Sequence, residues 1–159
     1  WQPLALAMGV AALIFCGQWH ELRPPHHNSD WRGAAQAANT LALSPDTPVL
    51  VVSPFIEAKP PIWSPDYPLP GFLYCHLDVY PVHGKPYLLP YDHSAAAQQY
   101  AATLSQHTLP AAGRFLIYAG AADVTLWREW FAARPEFAHW RSRTLGPFRD
   151  VEVALFESP

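Results

Sequence analysis

The stretch Val49-Leu50-Val51-Val52-Ser53 is unbroken by any charge and is mostly β-branched. A strand with one wet face would alternate apolar and polar residues. A continuous run of this kind is the mark of a strand buried on both faces, as in the middle of a parallel sheet. Just upstream, Trp31, Ala34, Ala35, Ala38, Leu41 and Ala42 recur at helical spacing behind Ser29 and Asp30, both suited to capping a helix. Ser44-Pro45-Asp46-Thr47-Pro48 ends that pattern and delivers the chain into the strand. A helix followed by a doubly buried strand is one α/β unit.

Working towards the carboxy terminus, the same signature returns. Asp92 or Ser94 can cap a helix carrying Ala97, Tyr100, Ala101 and Leu104 on one face, closed by Leu109-Pro110 and Gly113. RFLIYA at 114–119 is a second buried strand, and Gly120 turns the chain into a third helix with Val124, Trp127, Trp130 and Phe131 inside, ending at Arg134-Pro135. Two last runs, 137–145 and 151–157, are separated by Gly146-Pro147 and read as a hairpin. The order predicts an α/β sandwich with a mostly parallel sheet and a C-terminal antiparallel hairpin.

Between the first two buried strands lies a Pro- and aromatic-rich stretch, 54–90, longer than the few residues that usually join elements. Its inner runs FLYCHLDVY and PYLLP are candidate short strands, which Pro70, Pro81, Pro86 and Pro90 confine to sheet edges. Loops of this length often carry binding sites, and Glu57, His76, Asp78 and His83 form the candidate binding set, able to line a cleft above the strand ends.

Towards the amino terminus the chain changes character. WQPLALAMGVAALIFCG at 1–17 carries no charge, and Trp19 stands where an aromatic ring prefers the membrane interface. A crossing needs about 17 to 25 apolar residues. A core helix of a small domain would keep one polar face, and this run has none. The expected layout is a transmembrane helix at 1–19, a polar proline-broken linker at 20–29 and a soluble α/β domain at 30–159.

Composition narrows the function classes. The 159 residues are 50% hydrophobic and only 14% charged, against about 25% charged in ordinary globular chains. That is enough for one domain and too apolar for disorder. A net charge of −3 and two lysines, Lys59 and Lys85, offer no basic stripe for a phosphate backbone, which argues against nucleic acid as a partner. Cys16 and Cys75 have no metal-ligand spacing and are expected as free thiols. His26, His27 and Asp30 lie close in sequence, but adjacent imidazoles point apart, so they read as a solvated linker and no metal is expected. GAADVT after Gly120 lacks the later glycines of a dinucleotide turn, and Ser53-Pro54 is no nucleophile elbow. Trp127, Trp130 and Trp140 could stack on sugars, but Trp127 and Trp130 lie three apart on the inner face of a helix, and core packing is the stronger reading. No catalytic residue and no cofactor emerge from these patterns.

An apolar helix, then DWRGAAQAANTLALSPDTPVLVVSPFIEA, then FLYCHLDVYPVHGKPYLLP, resembles the carboxy-terminal end of bacterial GT-C class glycosyltransferases that use polyprenyl-phosphate-linked sugars, including the protein mannosyltransferase and aminoarabinose transferase relatives. The pattern is carried by Asp30, Trp31 and Arg32 and by the strand at 49–53. The resemblance implies a last membrane helix leading to a small periplasmic α/β domain at the bacterial inner membrane. Its implied partners are the lipid bilayer, the remainder of a parent membrane protein, and a polyprenyl-linked sugar or glycan acceptor. Family members carry their catalytic acid in the first extracytoplasmic loop. No residue of this chain matches that position, and Glu21, which follows the apolar helix, does not take the role. The implied function is a non-catalytic domain that shapes the acceptor side or stabilises the parent. A second class is a stand-alone membrane-anchored module binding a ligand or sugar in the loop at 54–90. A third is a hydrolase using Glu57 and Asp78, which would require two carboxylates about 5 to 10 Å apart.

Overall fold

The computed structural model describes residues 29–53 and 75–159 together with Met8, Gly9 and Ala12. Its elements run in the order α1 (Trp31–Asn39), β1 (Pro48–Ser53), α2 (Cys75–Val79), β2 (Lys85–Pro90), α3 (Ala95–Thr103), α4 (Leu109–Ala112), β3 (Arg114–Gly120), α5 (Ala121–Ala132), β4 (Arg141–Phe148) and β5 (Val151–Glu157). The five strands form one mixed sheet in the order β2-β1-β3-β5-β4. β1 pairs in parallel with both β2 and β3, and β5 pairs antiparallel with β3 and β4.

The continuous apolar run in β1 is explained by its place. It is internal to the sheet, and every one of its residues is buried. Leu50 and Val52 face one layer with Phe115, Ile117, Ala154 and Phe156, covered by α3, α4 and α5. Val49 and Val51 face the opposite layer with Leu116, Tyr118, Val153 and Leu155, covered by Ala34, Ala35 and Ala38 of α1 and by Leu77 of α2. The alanines let α1 lie close to the sheet. On the other side the gap is filled by large rings: Phe115 stacks on Phe156 at 4.6 Å and meets Phe131 edge-on at 5.4 Å. The result is a three-layer α/β/α sandwich.

Several expected boundaries move. α1 stops at Asn39, where the Thr40 hydroxyl donates to the Ala37 carbonyl at 2.6 Å, and Ala42 takes a left-handed φ of 49° instead of continuing the helix. Of the two runs expected as short strands, PYLLP lies in β2, a sheet edge as its prolines require, while Cys75–Val79 is a helix. A short apolar run does not distinguish the two, and Leu77 and Tyr80, three apart, meet the sheet on a helical spacing. The helix opened by Ser94 passes through a π-helical turn at Leu104–Thr108 before α4 ends at Gly113, φ 69°. Gly146-Pro147, expected as the hairpin turn, lies inside β4 at an irregularity between Leu145 and Phe148. β4 is an edge strand, where a missing N–H and an extra residue are tolerated. The turn itself falls at Arg149 and Asp150, with Arg149 at φ 62°.

Among the described residues no helix is long and apolar enough to cross a membrane. The span expected at 1–19 falls almost wholly outside them, as do the linker at 20–28 and the loop at 54–74. Met8, Gly9 and Ala12 are helical and exposed.

Candidate functional site

The order of strands decides where a site can form. From β1 the chain moves to β2 on one side, and from β2 it crosses to β3 on the other. α2, on the first connection, packs on the α1 face, whereas α3 and α4, on the second, pack on the opposite face. Connections that diverge from neighbouring strand ends make the carboxyl edge of such a sheet the place where a site forms, and here the loops after β2 and β3 meet at that edge.

Three short segments bring polar groups to that edge. Ser53 ends β1 and is fully buried. Pro90 ends β2 and is followed by Tyr91, Asp92 and His93 before Ser94 caps α3, its Oγ accepting from the Ala97 N–H at 3.2 Å. Gly120 ends β3 and opens α5, which places Asp123 in the first turn of the helix. The Asp123 carboxylate leans back over the strand end: a Cβ at Gly120 would stand 3.7 Å from Asp123 Oδ2. Burial holds this carboxyl above the ordinary carboxylate range, and the His93 imidazole opposes the shift.

His93 also packs against Trp127, with ring centroids 5.2 Å apart. Trp127 is fully buried, and on a helix its long side chain leans towards the amino-terminal turn that carries Asp123. Its indole Nε1 and the His93 Nδ1 are both shielded from solvent, and neither has a hydrogen-bond partner. Leaving such a group unpaired costs about 1–3 kcal/mol each. The switch-point edge thus gathers a desolvated carboxyl, an unpaired imidazole nitrogen and an unpaired indole N–H. These groups can donate and accept hydrogen bonds to a polar molecule.

A second polar cluster lies on the α1 face. His76 stacks on Trp31 with centroids 4.3 Å apart and meets Tyr118 edge-on at 5.5 Å. The Tyr118 hydroxyl donates to the Trp31 carbonyl at 3.1 Å, and the Arg32 guanidinium lies over Tyr80 at 5.8 Å. Burial pushes His76 down to about 4 and pushes the Tyr118 phenol upward, Tyr80 and Asp30 adding to the latter. The imidazole is therefore neutral at ordinary pH and serves as part of an aromatic stack.

Of the four residues expected to converge, Glu57 lies outside the described residues. His76 is buried in that stack, and Asp78 is exposed two residues further along α2. His83 sits before β2, where its backbone N–H donates to Asn39 Oδ1 at 2.8 Å, at the amino end of the parallel strands. The fold thus sends His76 and His83 to opposite ends of the sheet. Asp30 of the expected linker cluster caps α1 by accepting from the Gly33 N–H at 2.9 Å. Trp127 belongs to the core, with Trp130 and Trp140 packed partly against it. Asp123, His93 and Trp127 were not legible as a group: GAADVT fails as a nucleotide turn, and Trp127 has the spacing of a core stripe. The available signal was an acid three residues beyond a strand-ending glycine, together with YDHS following the carboxyl end of an edge strand.

No family model, no curated protein and no solved structure matches this chain.

Proposed function

We propose that this chain is the non-catalytic carboxy-terminal part of a bacterial membrane glycosyltransferase that takes sugar from a polyprenyl-phosphate donor. On this reading residues 1–19 span the inner membrane, and the α/β domain at 30–159 stands on the periplasmic side, where it shapes the acceptor side of the parent protein or stabilises it.

The observation that supports the reading best is where the chain enters the domain. Ser29 pairs with Arg149 as an isolated bridge, its hydroxyl donates to Asp150 Oδ2 at 2.8 Å, and the Asp30 N–H donates to the Phe148 carbonyl at 3.3 Å. The same turn accepts the Ala121 N–H on the Asp150 carbonyl at 2.8 Å, at the carboxyl end of β3. The chain therefore enters the domain on the rim that carries the loop after β3.

Fractionation tests the arrangement. The chain is expected to remain with alkaline-washed inner membranes, and the domain to be digested by protease added to spheroplasts while the membranes stay intact. Release into the soluble fraction, or protection of the domain until the membrane is lysed, would contradict it.

A further inference from the structure

We infer that the edge of the sheet where the loops after β2 and β3 meet binds a single sugar ring, held by Asp123, His93 and the indole N–H of Trp127. Its location comes from the geometry alone, and its ligand class rests on the reading in the preceding section.

The three groups select the chemistry of the ligand. The Trp127 indole can only donate, so the ligand must offer an acceptor. Asp123 is a carboxyl set into the first turn of α5, which disfavours a second anion beside it. A cation would satisfy Asp123 but leave the indole N–H facing positive charge. An uncharged hydroxyl meets both demands, since it accepts from the indole and donates to the carboxylate. His93, with a free ring nitrogen, can take either role with a neighbouring hydroxyl. Adjacent hydroxyls on a rigid ring are what a sugar presents.

Access depends on His93. It stands on the short loop between β2 and α3, is partly exposed, and packs against the Trp127 ring with centroids 5.2 Å apart, so on this inference a change in its side-chain torsions is the route to the indole. Tyr91, exposed on the same loop, provides an apolar ring face of the type on which sugars stack.

Nuclear magnetic resonance on the full chain in detergent micelles tests the site. The Trp127 indole resonance is identified by its loss in Trp127→Phe, and the chain is titrated with methyl glycosides of mannose, glucose and N-acetylglucosamine, with glycerol as control. At least one glycoside is expected to move that resonance saturably, half-saturating in the millimolar range usual for weak ligands of a few hydrogen bonds. Asp123→Asn and His93→Ala are expected to weaken the response about tenfold while leaving the other indole resonances in place. A folded chain whose Trp127 resonance does not move at about 100 mM of any glycoside, moves equally with glycerol, or responds unchanged in both variants would overturn the inference. That failure is distinct from failure of the membrane arrangement, which fractionation decides without any sugar.

Discussion

At the residue scale, His76 and Asp123 respond to pH in opposite directions. His76 is held neutral by burial between Trp31 and Tyr118, its folded value lying at about 4 against an ordinary 6.5. Its contribution to stability is complete above about pH 6.5 and is lost as pH falls through about 4. The full loss is about 3 kcal/mol. Urea denaturation at pH 7 and pH 4.5 is expected to show a steeper acid loss for the native chain than for His76→Phe, which keeps the stack without the titrating nitrogens; parallel losses would contradict this placement. For Asp123 the folded value is raised, so the stability it contributes is complete below the ordinary carboxylate value and is lost as pH rises from there through the folded value. Asp123→Asn is expected to be at least as stable as the native chain at pH 7, by the same denaturation, while weakening sugar binding. A residue whose replacement spares stability but costs binding is acting in a site and not in the core. Reading the sequence identified His76 as a candidate because it lies with Glu57, Asp78 and His83 in the long stretch at 54–90. It could not show the side of α2 on which the imidazole falls.

At the element scale, the connections are more exacting than the helices. Gly84 has φ 137°, and a Cβ there would stand 2.6 Å from the Thr47 carbonyl oxygen and 2.6 Å from Val49 Cγ2. Gly84 lets the loop before β2 pass close to the start of β1, where the Lys85 N–H donates to Thr47 at 2.8 Å. Gly84→Ala is expected to cost at least about 2 kcal/mol, from positive φ and collision with backbone together. Ser94→Ala, which removes one helix cap at the surface, is expected to cost about 1 kcal/mol. Thermal or urea unfolding of both variants checks the ranking, and a larger loss for Ser94→Ala would contradict it. The existence of β1, α3, β3 and α5 was legible because long periodic or continuous patterns leave little choice of element. The helix at Cys75–Val79 was not, because Leu77 and Tyr80 are too few apolar contacts to reveal a period. The hairpin turn was misplaced because Gly146-Pro147 is the strongest turn signal in its segment, yet the edge position of β4 absorbs it.

At the scale of the whole molecule, the alternation of elements foretold an α/β sandwich with a mostly parallel sheet and an antiparallel end; the sandwich and the antiparallel end are there, but the sheet is mixed, with two of its four pairings parallel. Strand order was not legible, since buried β-branched runs look alike whichever neighbour they pair with. The candidate site depends on that order. Asp123 and His93 belong to different connections and meet because the crossover from β2 to β3 passes over β1. The same order puts the entry of the chain at Ser29 on the rim that holds them.

The central claim is that this domain serves a membrane transferase without carrying its chemistry. The most direct measurement is sugar transfer from a polyprenyl-phosphate donor, in membranes containing the full reading frame that encodes this chain, with residues 30–159 present or deleted. The account predicts transfer by the intact protein, a loss of at least tenfold on deletion, and none from the chain alone. Undiminished transfer without the domain, or transfer by the chain alone, would contradict it.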